Sequence, residues 1–508
     1  MTYIPAIMIC AYFIILIVLT LRTPKAGKKS TFEDFYTGTK SMGAIVVGLV
    51  MLVTYFSGST WTGWTGFTAL NGVFGAYTIP YSVAAAVGMY FLASKVWPLG
   101  KEYRLSTLAD MYELRYRSTG LKILTGLIGA VMNVTWITME IVTIGYIFQI
   151  GTNGAVSAAV GSLIGVIFMT CYTLWGGVRS VASVNTFQSA LMVVGSIAVV
   201  VYLVYVNYGS VSEMFSTAYD VNPASYIISG EGMQAQWFSF VLLCSAGVLC
   251  YPSLYLKLYL GKSKNEVKKA AIFNAAGGLW SMAFIIAGFA IIGYTVVSGV
   301  TVDDPQEGLL VMLQNAGNPV IWGLCIIFIL AACMGTVDGT LLAISGILSS
   351  DVIEGFKKLS KKEPPIGTEG YVPSSQTTTG SNVVLTTRII VVIIAVCAYI
   401  ITLFDLPLLV LVAMINYQGI AQLFVPLIGA VIWKKATKIG TFTSIIASFA
   451  VTIILMVLGT NLHGFLPGVV GLAVGTVLFI VVSLATYKEN LPEAQIFTKL
   501  KDTMKKVA

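Results

Sequence analysis

One histidine, His463, is all that the 508 residues contain, and it lies in a short turn before the last apolar run. A lone loop histidine supports neither a His-based catalytic pair nor a metal centre built on imidazoles. The seven cysteines (Cys10, Cys171, Cys244, Cys250, Cys325, Cys333, Cys397) include no Cys-x-x-Cys pair and all fall within apolar runs. They are expected to be small buried hydrophobes, with no disulfide framework and no zinc site. Charge is scarce too: 10% of residues are charged and 57% apolar. No loop is long enough to fold as a domain of its own, so the chain reads as one polytopic unit, 1–508.

What the chain does have is apolar runs. About 20 apolar residues span a bilayer core as a helix, and only helices or closed barrels satisfy their backbone there. The pattern predicts an all-α integral membrane protein of about thirteen helical segments. These run roughly over 3–21, 43–68, 72–97, 121–151, 155–175, 184–207, 234–258, 271–298, 318–350, 388–404, 406–433, 439–460 and 466–486.

Alternating the sides sorts the thirty Lys and Arg residues onto one face. Arg22 to Lys40 follow the first segment, Lys95 to Lys122 the third, Arg179 the fifth and Lys257 to Lys269 the seventh. Lys357 to Arg388 follow the ninth, Lys434 to Lys438 the eleventh, and Lys488 to Lys506 lie in the tail. The opposite loops hold Glu213, Asp220, Glu231, Asp303, Asp304 and Glu307 and nothing basic. Positive residues stay inside, which puts the N-terminus outside and the C-terminus in the cytoplasm of a multi-pass cell-membrane protein. The net charge of +8 is then a cytoplasmic collar facing anionic lipid headgroups. It is not a nucleic-acid surface, since no basic module stands apart from the spans.

The first segment keeps its hydrophobicity through Leu21 without a small-residue cleavage pattern, and reads as a retained helix. The longest loop, 351–387, is rich in Lys, Pro, Gly, Ser and Thr, which predicts a short helical start and then a flexible cytoplasmic linker. The outer loops 208–233 and 299–317 are candidates for short interfacial helices.

Two spans carry sequence that weakens a helix at mid-membrane. Val53 to Gly66 (VTYFSGSTWTGWTG) is crowded with hydroxyl side chains and glycines, and Ser245 to Pro252 is interrupted at Gly247 and Pro252. Transporters use such discontinuities to present carbonyls to cations and amide N–H groups to anions. Glu140 and Asp338 lie deep in spans, each costing on the order of 3 kcal/mol to insert. No Lys or Arg is expected at their depth, so each calls for a partner, a proton or an ion.

These features meet in segments that resemble the sodium:solute symporter family, the group of the proline, pantothenate, sialic acid and sugar symporters. Phe32 to Gly43 resembles its first cytoplasmic-loop motif, Trp175-Gly176-Gly177-Val178-Arg179 with Gln188 its Gly-Gly turn, and Pro426 to Gly440 its late signature. Thr54 to Ser57 and Gly247 to Lys257 look most like the pantothenate members. The resemblance implies two inverted five-helix repeats, 43–298 and 318–460. Residues 1–42 would supply the first helix and loop, and 461–508 the last helix and tail.

It also implies a sodium site formed by the carbonyls of Val53, Phe56 and Ala332 with the hydroxyl of Thr336. Gly335 stands where the family has a serine. A further site in some members uses an aspartate where this chain has Asn185, and a hydroxyl where it has Asp338, so a second cation or a proton is expected there. Substrate would face Ser57, Thr60, Trp64, Glu140, Tyr251, Tyr417, Gln418 and Gln422, with Trp61 as a further lid residue.

The expected activity is symport of a small organic solute (an amino acid, an ammonium compound or a carboxylate) with sodium, by alternating access and without an organic cofactor. A proton-coupled member using Asp338 is the alternative. An intramembrane enzyme is disfavoured because Glu140 and Asp338 lack the motif context of a catalytic pair. A sensor of the same fold is disfavoured because only about twenty residues follow Thr486.

Overall fold

The computed structural model describes residues 3–23, 36–37, 40–368, 380–404 and 406–506. Within them the chain is helical from end to end, and no strand is present among the described residues. In order, the helices are α1 (Ile4–Arg22), α2 (Ala44–Tyr55), α3 (Thr65–Asn71), α4 (Thr78–Glu102), α5 (Leu108–Tyr116), α6 (Thr119–Gly151), α7 (Ala158–Tyr208) and α8 (Val211–Val221). Then come α9 (Met233–Cys250), α10 (Pro252–Lys257), α11 (Lys264–Ala275), α12 (Gly277–Ser298), α13 (Gly308–Asn315), α14 (Pro319–Ile347) and α15 (Glu354–Ser360). The last are α16 (Gly380–Ile401), α17 (Leu409–Ile420), α18 (Phe424–Ile432), α19 (Lys438–Val457), α20 (Pro467–Thr486) and α21 (Pro492–Lys506).

Twelve helical runs are long and apolar enough, by length and composition, to cross a membrane. The thirteenth expected crossing is the one a break divides: α2 alone is too short to count, and its continuation merges with α4 in the run Thr60–Glu102. Helices α8, α13 and α15 fall within 208–233, within 299–317 and at the start of 351–387, where short helices are expected. Phe32 to Phe35, Gly38 and Thr39 of the first loop motif, and residues 369–379 of the linker, lie outside the described residues.

Helix α14 is the axis of the molecule. Every residue from Ile329 to Ile347 is buried, as befits a helix apolar on all sides, and it packs against α1, α2, α6 and α7. By contrast, Ile446, Ile453, Val457, Val477, Val481 and Leu484 on α19 and α20 are exposed, an apolar outer face suited to lipid. Cys10, Cys171 and Cys397 share that outward exposure, whereas Cys244, Cys250, Cys325 and Cys333 are buried as expected.

Three interruptions shape the core. Helix α2 stops at Tyr55, Phe56 leaves helical geometry (φ −106, ψ 84), and the chain resumes through a wide π-helical turn, Thr60–Trp64. Gly58 permits this path: a Cβ there would stand 1.9 Å from Cys333 Sγ on α14. The second break falls at Tyr251 (ψ 116), with Pro252 opening α10, where its missing N–H costs nothing. Gly247 stays helical, contrary to the expected interruption. Its bare Cα lets Tyr417 approach, whose ring carbon would lie 2.8 Å from a Cβ. The third bend, inside α7, is Gly177 at φ 59 and ψ −146, a conformation only glycine adopts readily. The Gly-Gly turn thus separates two spans.

The basic collar is less superficial than its sequence positions imply. Lys122 is buried and pairs with Asp110 (2.6 Å), Glu113 (3.2 Å) and Asp351 (3.5 Å), tying α5, α6 and the end of the α14 span together. Arg115, also buried, donates to the carbonyls of Glu493 (2.7 Å) and Trp433 (2.9 Å). Lys257 is buried as well, 2% exposed, with its ammonium beside Gly339, and so corrects the expectation that no Lys or Arg lies at the depth of Asp338.

Candidate functional site

The first break places a carboxylate at the start of the resumed helix. Ser59 N–H donates to Glu140 Oε2 at 3.0 Å and the Ser59 hydroxyl donates to Oε1. Glu140, fully buried on α6, therefore accepts from one N–H that the break exposes, as an anion at a helix N-terminus does. Ser57 shares hydrogen bonds with Ser59 (2.9 Å) and Thr60 (3.2 Å), and Thr62 shares one with Thr143 of α6 (3.0 Å).

Beside this knot is a small cavity walled by Tyr55, Phe56, Thr60, Trp64, Tyr81 and Trp136, with Thr78, Ser281 and Phe284. Trp64 stacks on Trp136 (6.0 Å between centroids, 10°), Tyr417 meets Trp136 edge-on (5.7 Å), and Tyr251 lies 6.0 Å from the same ring. About 10 Å³ is free inside, room for one water, so a solute enters only if these rings part. A larger vestibule of about 370 Å³ opens on the side of the acidic loops, between Tyr146, Ser162, Gln306, Phe404 and Leu409.

Of the expected substrate residues, Ser57, Thr60, Trp64, Glu140, Tyr251 and Tyr417 gather here. Gln418 and Gln422 do not. Gln418 Oε1 accepts from Gly468 N (2.9 Å), and Gln422 Nε2 donates to the carbonyls of Gln418 (2.8 Å) and Gly468 (3.0 Å). One end of each amide thus bonds to Gly468 of α20. Trp61 packs edge-on against Phe284 at 4.4 Å. Sequence reading missed Trp136 and Tyr81. Both are aromatic residues in unremarkable apolar runs, and only the packing of α4 and α6 on the break reveals them.

On the other side of the broken helix stand the oxygens expected to hold a cation. The Thr336 hydroxyl lies 2.8 Å from the Val53 carbonyl and 3.1 Å from that of Ala332. Thr60 N–H, which would bond the Phe56 carbonyl in an unbroken helix, instead reaches Ser57 O at 3.1 Å. The break thus takes from Phe56 O the donor that a continuous helix would give it. Gly335 is tightly enclosed: a Cβ would fall 2.6 Å from Val53 Cγ2 and 3.1 Å from Gln188 Oε1. That Gln188 oxygen is buried without a hydrogen-bond partner among the described residues, while its Nε2 donates to the Tyr12 hydroxyl (2.8 Å).

One turn on, Asp338 Oδ2 accepts from the Tyr172 hydroxyl (2.9 Å) and Oδ1 from Asn185 Nδ2 (3.2 Å). Asn185 and Asp338, paired in expectation, touch.

A broken helix, carbonyls set against hydroxyls on α14 and a closed aromatic pocket together form the arrangement of an ion-coupled carrier. The family model described as Sodium:solute symporter family matches residues 35–448. The chain belongs to the sodium:solute symporter family. Its relatives include the Bacillus subtilis (strain 168) uncharacterized symporter YhjB, 25% identical over 95% of this chain and 97% of the relative. The Escherichia coli (strain K12) sodium/pantothenate symporter is 22% identical over 96% and 97%. A substrate-bound, outward-open Na+-coupled sialic acid symporter superposes with a TM-score of 0.75 at 16% identity, covering 95% of this chain and 97% of that one. The fold of this symporter is accordingly the inverted-repeat core with broken helices, and its activity is sodium-coupled solute symport.

Proposed function

We propose that this symporter imports a zwitterionic or cationic small organic solute, such as an amino acid or an ammonium compound, together with sodium. The observation that carries this reading is Glu140 bound to the Ser59 N–H and hydroxyl. The exposed helix N-terminus is the natural seat of a substrate anion, and here the chain supplies the anion itself. The cavity wall is aromatic and, among the described residues, includes no basic side chain. Aromatic faces attract cations, and a carboxylate at about 4 Å from an amine contributes on the order of 4 kcal/mol at an effective dielectric near 20. A carboxylate solute would find neither.

In this reading Val53, Phe56, Ala332 and Thr336 hold the sodium, with Gly335 closing its wall. Ser57, Thr60, Trp64, Glu140, Tyr251 and Tyr417 contact the solute. The repeats 43–298 and 318–460 move against each other, the N-terminus lies outside, and the vestibule near Gln306 is the outer access. Asn185 and Asp338 form a second charged station that requires a positive partner: an ion, a proton or a side chain. Counterflow in proteoliposomes with a panel of labelled amines, amino acids and carboxylates, with and without sodium, tests the reading. Sodium-dependent exchange of carboxylates alone would overturn it.

A further inference from the structure

A buried lysine stands beside the segment of α14 that carries Asp338. Lys257 closes α10, directly after the second break, and is 2% exposed. Its ammonium donates to Ser253 Oγ at 3.0 Å. It lies 3.2 Å from the position a Cβ would take on Gly339, the neighbour of Asp338, and Thr54 Oγ1 of α2 is 3.7 Å from that same point. The ammonium therefore sits where α2, α10 and α14 meet, against the residue that follows Asp338 and without a direct ion pair to its carboxylate. The two groups that hydrogen-bond that carboxylate, Tyr172 and Asn185, are neutral. They orient it without balancing its charge, and a buried carboxylate left unbalanced is strongly destabilising. Lys257 is absent from the lining of the aromatic cavity.

We propose that the Lys257 ammonium is a tethered second cation: it gives Asp338 the positive charge that a second bound sodium would bring, so that one sodium accompanies each solute. The proposal rests on the reading of Val53, Phe56, Ala332 and Thr336 as the sodium site. Because the tethered charge never leaves, the empty carrier returns with Asp338 still compensated. With the ammonium removed, Asp338 and the unpartnered Asn185 Oδ1 become free oxygens for a further sodium.

The test is binding of radiolabelled sodium alone to the purified full-length protein, counted per chain by scintillation proximity. Wild type and K257R are expected to bind one sodium. K257M and K257Q are expected to bind two, and the double variant K257M/D338N one again. Two sodium ions in wild type, or one in well-folded K257M and K257Q, would overturn the tethered cation. No sodium bound by wild type would instead overturn the sodium-site reading beneath it, and the proposal with it. Should neither neutral variant fold, rescue of K257M by D338N would uphold the charge pairing, since only an uncompensated carboxylate is cured by its own removal. Failure of that rescue would overturn it.

Discussion

The Ser59 backbone N–H lies 3.0 Å from Glu140 Oε2, and the same serine's hydroxyl donates to the other carboxylate oxygen. One side chain on α6 thus caps the resumed half of the broken helix and charges the wall beside the aromatic cavity. The two duties separate in Glu140→Gln, which keeps an acceptor for Ser59 N–H and loses the charge. Uptake of amines should fall by tenfold or more while the melting temperature changes little. Glu140→Ala should also lower stability, by about 1 kcal/mol for a lost cap. Equal uptake of amines by wild type and Glu140→Gln would leave Glu140 a structural cap only.

Thr336 offers the cleanest probe of the ion. Its hydroxyl bridges Val53 O and Ala332 O, the carbonyls on either side of the site. Thr336→Ala should raise the sodium concentration for half-maximal binding by tenfold or more, about 1.4 kcal/mol, and Thr336→Ser should restore most of it. Unchanged sodium dependence in the alanine variant, measured by titration of the purified protein, would remove Thr336 from the ligand set.

Much of this was legible before any coordinates. The apolar runs and the sorting of charge gave the span pattern, because lipid tolerates so few alternatives. The hydroxyl-rich stretch after Val53 announced the first break for the same reason. What stayed hidden was lateral. Gln418 and Gln422 read as pocket residues through the family resemblance, yet they meet Gly468 on α20, a partner 46 to 50 residues away. The sorting of charge puts Lys257, at the end of segment 234–258, in the cytoplasmic collar with Lys262 and Lys264. The break at Tyr251 instead redirects α10 so that the amine runs back into the protein. Side-chain direction at a break is set by packing, and no periodicity records it.

At Gly335 the space decides the sign. A serine there would add the hydroxyl that the family resemblance leads one to expect, and tighter sodium binding would follow if room existed. The structure shows none, since the new Cβ would press on Val53 Cγ2 at 2.6 Å. Overpacking of this kind costs about 1–3 kcal/mol, and it falls on the residue whose carbonyl faces Thr336. Gly335→Ser should therefore weaken sodium binding and lower the melting temperature, and Val53→Ala should relieve both. Tighter binding in the single variant would mean that Val53 yields easily.

Lys122 faces Asp110, Glu113 and Asp351 at 2.6 to 3.5 Å. Lys122→Met should destabilise the protein by about 3–5 kcal/mol, because it leaves buried carboxylates unpaired. Adding Asp351→Asn should recover part of the loss. A melting temperature equal to wild type in Lys122→Met would show the network to be solvated.

The exchange of charge between α7 and α14 is the sharpest test of how the second station works. Asn185 Nδ2 meets Asp338 Oδ1 at 3.2 Å, so the two positions are in contact and should not behave additively. Asp338→Ser removes the carboxylate and should abolish most transport. Asn185→Asp alone sets two carboxylates face to face, and should also lose activity and stability. The double variant moves the carboxylate from one helix to the other while keeping the local charge constant, with Lys257 still nearby to compensate it. Transport in the double variant should exceed that of either single one, measured as initial uptake rate at saturating sodium. If the double variant is no better than Asp338→Ser, the carboxylate must sit on α14, and its work depends on the Tyr172 hydroxyl at 2.9 Å rather than on charge alone.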